Sequence, residues 1–274
     1  LWGMLARVKS VSRSALLSCG LLLAGAAAAT VLSQGAMALF ILVYAHRRYP
    51  LLRLSLKEPL FRREDFAQGL RFGLPPALQF SVTAGGNIAL QNFMNGFGSH
   101  TVAAITTAYR VDTIMLLPII NLGSAISTMV AQSKGAGEPQ RARHFWRTGA
   151  VMNLVVSLLL MAVMLLFGGK LVALFGVEAE AAAIGRRFFQ RISLFYVFFG
   201  LACSMRGTIE GTGRVVYSSA VSITALLLRI VLSYLLAGAF LNMAIAYAEG
   251  LHWIFMVLCF LPFFLRRDRW AQNS

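Results

Sequence analysis

Residues 69–147 read GLRFGLPPALQFSVTAGGNIALQNFMNGFGSHTVAAITTAYRVDTIMLLPIINLGSAISTMVAQSKGAGEPQRARHFWR, and this stretch decides the fold. Two long apolar segments flank the turn Gly96-Phe97-Gly98-Ser99 and end in a basic, glycine-containing loop at 134–143 that no bilayer core accepts. Each arm carries polar side chains at helical spacing: Gln79, Thr83, Asn87 and Gln91 in the first, Asn121, Ser124, Thr128 and Gln132 in the second. Polar groups inside a membrane need partners, so such rows face a bundle interior or a water-filled path rather than lipid. Four-residue steps advance 400°, so the first row drifts slowly around its helix; part of it is placed to line a cavity and part to clamp a neighbour.

Composition sets the class. The 274 residues are 58% hydrophobic and 13% charged, against about 25% charged in a soluble domain, which makes the chain an integral membrane protein. Lys and Arg total 25 against 10 Asp and Glu, a net charge of +15. In a soluble protein that balance would suggest nucleic acid, but here the bases sit between apolar runs, where headgroups and topology explain them and no nucleic-acid partner is expected. Cys19, Cys203 and Cys259 stand singly in apolar segments, and His46, His100, His144 and His252 form no ligand motif. No nucleophile elbow, phosphate loop or zinc signature is present, so neither an enzyme nor a cofactor or metal site is expected.

Outside the central hairpin, residues 1–14 are polar and basic, and 15–46 are long enough for a retained transmembrane helix rather than a signal peptide. Within that helix, residues 25–30 (GAAAAT) either admit a close neighbouring helix or are simply tolerated small residues. A linker at 47–71 carries seven Lys and Arg and is interrupted by Pro50 and Pro59; Glu64, Asp65 and Phe66 are placed to open a short interfacial stretch before Gly73-Leu74-Pro75-Pro76. Residues 148–167, ended by Gly168-Gly169, read as a lipid-facing or structural helix. Residues 178–190 read as a second interfacial piece, followed by a span at 192–205 broken at Arg206-Gly207. Two last spans, 215–236 and 240–265, precede a tail bearing Arg266, Arg267 and Arg269. The expectation is an all-α, polytopic transmembrane bundle of about seven spans.

Bases gather in alternate loops: the linker, residues 134–147, residues 206–214 and the tail. The turns at 95–100 and 237–239 have no Lys or Arg, which places the basic set and the C-terminus in the cytoplasm of a multi-pass cell (inner) membrane protein.

The runs Leu90 to Gly98, Val102-Ala103-Ala104, Tyr109-Arg110-Val111-Asp112 before Pro118, and Val130 to Gly137 with Arg141 and Arg143 resemble the multidrug and toxic compound extrusion family of cation-coupled antiporters. The patch at 25–34 and Met205-Arg206-Gly207 with Gly211-Thr212-Gly213 resemble it too. The resemblance implies two six-helix lobes with a substrate cavity between them and alternating access. It implies further that this chain holds the last helix of the first lobe (15–46), a cytoplasmic linker (47–71), the six-helix second lobe (72–265) and a tail (266–274). The missing N-terminal lobe, small amphipathic or cationic substrates, H+ or Na+ as coupling ion and the lipid bilayer are then its partners. The spans around 72–94 and 192–205 lack the acids some relatives use for the coupling cation, so that ion stays unassigned. Two rivals are a transport-incompetent fragment and a lipid-linked oligosaccharide flippase of related fold. A flippase would line its cavity with several cations, for which Arg110, Arg229 and Arg191 are the candidates.

Within the spans, an acid is costly enough to be functional by default. Asp112 is the foremost candidate for the substrate and cation pathway, the alternative being a structural anion paired with a base from another helix. Glu249 is a second. Asn87 and Gln91 from the first row, with Asn121 and Thr128 from the second, complete the expected set, the two rows meeting inside the lobe. Arg229 is either paired with an acid such as Glu249 or snorkels to the interface. Glu210, flanked by Arg206 and Arg214, reads as part of a cytoplasmic loop ion pair.

Overall fold

The computed structural model describes residues 13–49 and 62–265. The expected N-terminal tail through residue 12, most of the linker with Pro50, Arg53, Lys57 and Pro59, and the C-terminal arginines lie outside the described residues. Two compact units are present, Leu1–Arg62 and Arg63–Ser274. The first contributes one long helix, α1 (Arg13–Arg48).

In the second unit the described residues form α2 (Arg63–Asn95), α3 (Ser99–Gly135), α4 (Pro139–Ala173), α5 (Ala179–Ile192), α6 (Tyr196–Gly211), α7 (Val215–Leu235), the single turn α8 (Ala237–Phe240) and α9 (Ala244–Leu265). No strand occurs among the described residues. Six stretches are long and apolar enough to cross a membrane: Ala24–Arg48, Ser99–Gly135, Pro139–Ala173, Ala179–Gly211, Val215–Leu235 and Ala237–Leu265. The 33-residue α2 is the seventh long stretch; its charged first turns and polar row, not its length, keep it out of that set.

The turns follow from local chemistry. Gly98 at φ 87° and Gly137 at φ 72° adopt the left-handed conformation that costs a residue without a β-carbon nothing, which lets the chain reverse within three residues after α2 and α3. The amide of Glu138 donates to the Ser133 carbonyl at 2.9 Å, satisfying a carbonyl orphaned at the end of α3.

Several expected boundaries move. The interfacial stretch at 64–66 is instead the first turn of α2, with Glu64 and Asp65 at the positive end of the helix dipole, and Pro75 and Pro76 lie inside that helix. Gly168 and Gly169 do not end α4. A β-carbon at Gly168 would lie 2.8 Å from Phe189 Cβ and one at Gly169 2.9 Å from Arg186 Cβ, so these glycines are where α5 lies against α4. Gly207 likewise does not break α6, which runs on to Gly211; a β-carbon there would sit 2.2 Å from the Gly123 carbonyl oxygen of α3. The stretch at 178–190 forms α5, which buries one face through Phe188 and Phe189 and exposes the other through Glu180, Arg186 and Arg187, and a 3-10 turn at Ser193–Phe195 carries the chain directly into α6. Small residues allow such backbone approach where no water-driven force holds helices together.

The core lies where α3 packs on α4 and α6, while α2 packs mainly on α7, and α7 on α9. Ile105, Ile119, Phe188, Ile192 and Tyr196 are fully buried in it. Past its basic first turns, α4 carries Asn153 and Ser157 on its buried side. There Asn153 Nδ2 donates to Ser204 Oγ at 2.9 Å and to the Gly200 carbonyl at 3.3 Å, tying α4 to α6.

Candidate functional site

The packing leaves a cavity of about 860 Å³ in the second unit, bounded by α2, α3, α6, α7 and α9. All four polar residues of the first row, Gln79, Thr83, Asn87 and Gln91, line it. Their slow drift around α2 spreads them along a wide wall rather than dividing them between cavity and neighbour. Gln79 accepts a hydrogen bond from Arg206 Nη2 at 3.3 Å, and Thr83 satisfies its hydroxyl on the Gln79 carbonyl at 2.8 Å.

The second row behaves differently. Ser124 lines the cavity, whereas Asn121 and Thr128 are exposed and outside it, donating to the Leu117 and Ser124 carbonyls of their own helix at 2.8 and 3.1 Å. The two rows therefore do not meet as a pair of stripes. Back-bonding to a carbonyl one turn earlier satisfies a short polar side chain without any partner helix, so Asn121 and Thr128 need no interior position.

Asp112 and Glu249 both reach the cavity and are both nearly buried, at 5% and 7% exposure. Among the described residues Asp112 forms no ion pair with a base; its partner is Tyr196 of α6, whose hydroxyl donates to Oδ1. Of the alternatives for Arg229, the structure takes pairing over snorkelling. Its guanidinium makes an ion pair with Glu249 Oε2, bridging α7 and α9, and its Nη2 donates to Tyr109 Oη at 3.0 Å. Tyr109 donates in turn to Glu249 Oε2 at 3.3 Å, and the Arg229 Cζ lies 5.7 Å from the Tyr109 ring centroid. His252 Nδ1 sits 2.8 Å from the Glu249 carbonyl oxygen and 3.7 Å from its carboxylate. The buried acid is thus offset by a buried base, as low-polarity surroundings require.

A second polar cluster lies on the same cavity wall. Arg206 Nε donates to Glu210 Oε1 at 2.7 Å, and Ser218 Oγ donates to the same oxygen at 2.9 Å. The expected pairing of Glu210 holds with Arg206, but both residues belong to α6 rather than to a loop, and both face the cavity. Arg191 does not line it; its Nη1 donates to the Arg187 carbonyl at 3.0 Å.

Tyr109, Tyr196, Arg206 and His252 were not among the residues expected from the sequence. Two had a signal available: Tyr109 and Asp112, and Glu249 and His252, stand three apart and so share a helix face. Tyr196 had none, because its link to Asp112 spans 84 residues.

A family model described as MatE matches residues 75–235, more than half of the chain. Among curated proteins, the chain is 30% identical over 191 residues to the probable multidrug resistance protein YpnP of Bacillus subtilis, covering 70% of this chain and 42% of that one. It is 30% identical over 208 residues to the probable multidrug resistance protein YoeA of the same organism, covering 74% and 44%. The chain therefore spans less than half the length of these relatives. Among solved structures, a MOP superfamily transporter from Pyrococcus furiosus superposes with a TM-score of 0.80 at 20% identity, over 91% of this chain and 57% of that one.

Proposed function

Because the chain belongs to the MatE family of multidrug and toxic compound extrusion transporters, we propose that it forms one lobe and an adjoining helix of a cation-coupled antiporter that expels small amphipathic or cationic compounds by alternating access. The observation that carries this reading is the cavity between α2, α3, α6, α7 and α9, whose wall combines an amide and hydroxyl row with the buried carboxyls Asp112 and Glu249. Ligand sites of transporters lie within the membrane where polar side chains converge, and an intramembrane carboxylate is suited to a cationic group. H+ or Na+ is the coupling ion, the protein resides in the cell membrane with its C-terminus in the cytoplasm, and Asp112 is the pathway residue that matters most.

A lipid-linked oligosaccharide flippase is the weaker alternative. It calls for several unneutralised cations, whereas of the three cavity arginines Arg206 and Arg229 each face a carboxylate and Arg110 alone has no ion pair among the described residues. Alternating access moves two halves about a site between them, so the second half must come from a first lobe or from another copy.

The test is dye efflux from cells expressing the chain alone, the chain with the first lobe of a relative, and the paired lobes carrying Asp112→Asn or Glu210→Gln. Paired lobes should extrude an amphipathic cation, with Asp112→Asn the more damaging change because Glu210 is already offset by Arg206. Robust efflux by the chain as a monomer would sink the two-lobe reading. Efflux only as a dimer would mean that two copies supply both walls, and no efflux from any combination would mean a transport-incompetent chain.

A further inference from the structure

The surroundings of the Arg229 guanidinium are those of an organic-cation cage. The Glu249 carboxylate neutralises it, the Tyr109 ring lies beneath it and the Tyr109 hydroxyl accepts from it. Carboxylate plus aromatic face is the combination that recognises guanidinium and quaternary ammonium groups. The fit is incomplete, since Arg229 Nε is buried without a hydrogen-bond partner. A guanidinium has five N–H donors in a fixed fork, so Glu249 and Tyr109 meet its charge and its outer nitrogen without satisfying the whole group. Tyr109, Arg229 and Glu249 all open onto the cavity, so a solute inside it can reach the same carboxylate and ring.

We infer that Glu249 and Tyr109 form a binding site for an organic monocation, and that the Arg229 guanidinium occupies it as a built-in competitor that an incoming cation displaces. The inference rests on the transporter reading for its ligand class, but it concerns binding within one lobe and is measured without transport. Displacement exchanges one cation at Glu249 for another, so the carboxylate keeps a counter-charge, and the released guanidinium passes into the cavity that Asp112 also lines, where a second acid limits the cost of parting the pair. It also sets a threshold: a solute binds only if its contacts with the cavity wall outweigh those of Arg229. Neutral solutes and small hydrated cations fail that comparison, whereas amphipathic monocations with apolar arms pass it.

The experiment is equilibrium binding of tetraphenylphosphonium, and separately of methylguanidinium, to the purified full chain in lipid nanodiscs by isothermal titration calorimetry. Arg229→Gln vacates the cage, so tetraphenylphosphonium should bind about tenfold tighter than to the unsubstituted chain, the gain expected when its charge attracts a carboxylate that no guanidinium contests. Methylguanidinium, the size of the missing group, should bind Arg229→Gln and not the unsubstituted chain. Arg229→Gln/Glu249→Gln holds no unpaired buried charge, which keeps it measurable if the single variant fails to fold. The double variant should bind tetraphenylphosphonium about tenfold more weakly than the unsubstituted chain. Equal affinity of the double variant and the unsubstituted chain overturns the proposal, as does a single variant that binds no tighter. Because no step requires efflux, a failed dye assay with successful binding would count against the transport reading alone.

Discussion

The Tyr196 hydroxyl donates to Oδ1 of Asp112, joining α6 to α3 across 84 residues of sequence where both side chains are buried. Tyr196→Phe keeps the ring and its packing beside Trp253, 6.1 Å between centroids, and removes only the donor. Leaving a buried carboxyl without its partner costs about 1–3 kcal/mol. Thermal unfolding in detergent should fall accordingly, while Asp112→Asn, whose amide oxygen still accepts from Tyr196, should stay within about 1 kcal/mol of the original. A Tyr196→Phe protein as stable as its parent would mean that this bond carries no weight.

Gly207 and Gly123 bring α6 and α3 into backbone contact. A β-carbon at Gly207 would fall 2.2 Å from the Gly123 carbonyl oxygen, a main-chain atom that cannot rotate away. Gly207→Ala should therefore destabilise by about 3 kcal/mol, the upper end of the usual overpacking range, and reduce the folded yield. Gly85→Ala is the control: nothing lies within 4 Å of its β-carbon, and helix propensity favours alanine by up to about 1 kcal/mol. Equal melting temperatures for the two variants would contradict the close approach.

Asn153 is buried within the apolar stretch of α4, with Nδ2 bonded to Ser204 and Gly200 and Oδ1 unpartnered. Asn153→Ala removes both bonds, but Ser204 Oγ keeps the Gly200 carbonyl at 2.9 Å. The net loss should be about 1 kcal/mol, smaller than for Gly200→Ala, whose β-carbon would lie 2.1 Å from Ser157 Oγ and 3.2 Å from the Asn153 carbonyl oxygen. Chemical-denaturant midpoints of both variants in mixed micelles would rank them.

Orientation is open to cysteine labelling. Ser133 and Gly211 are buried and unsuited to it, whereas Ser99 and Ala136 are exposed at the two ends of α3. With Cys19, Cys203 and Cys259 replaced, an impermeant thiol reagent applied to intact cells should modify Ser99→Cys and miss Ala136→Cys, as the distribution of loop bases requires. The opposite pattern would invert the topology.

Much of the site was legible because spacing along a helix is a local property. The row Gln79, Thr83, Asn87 and Gln91 and the buried acids Asp112 and Glu249 followed from residue type inside apolar runs, and each lines the cavity; for Arg229 residue type left pairing and snorkelling open. Where Asn121 and Thr128 lie was not legible: Ser124 and Thr128 alike back-bond to their own helix, yet only Ser124 lines the cavity, and nothing in a polar row says which members a neighbouring helix will cover.

By itself, then, the sequence determined the class, the long helices and the glycine turns between them, because apolar run length and backbone conformational freedom are set within a few residues. Only the tertiary structure decided whether a glycine ends a helix or admits a neighbour. Gly168 and Gly207 look like breaks in the chain and are contact points in the fold, because their effect depends on Phe189 and Gly123, elements away. It also decided that Asp112 meets a tyrosine and Glu249 an arginine lying over Tyr109. A buried charge requires a counterpart, but which residue supplies it depends on how helices pack at separations of tens to hundreds of residues, which no local pattern encodes.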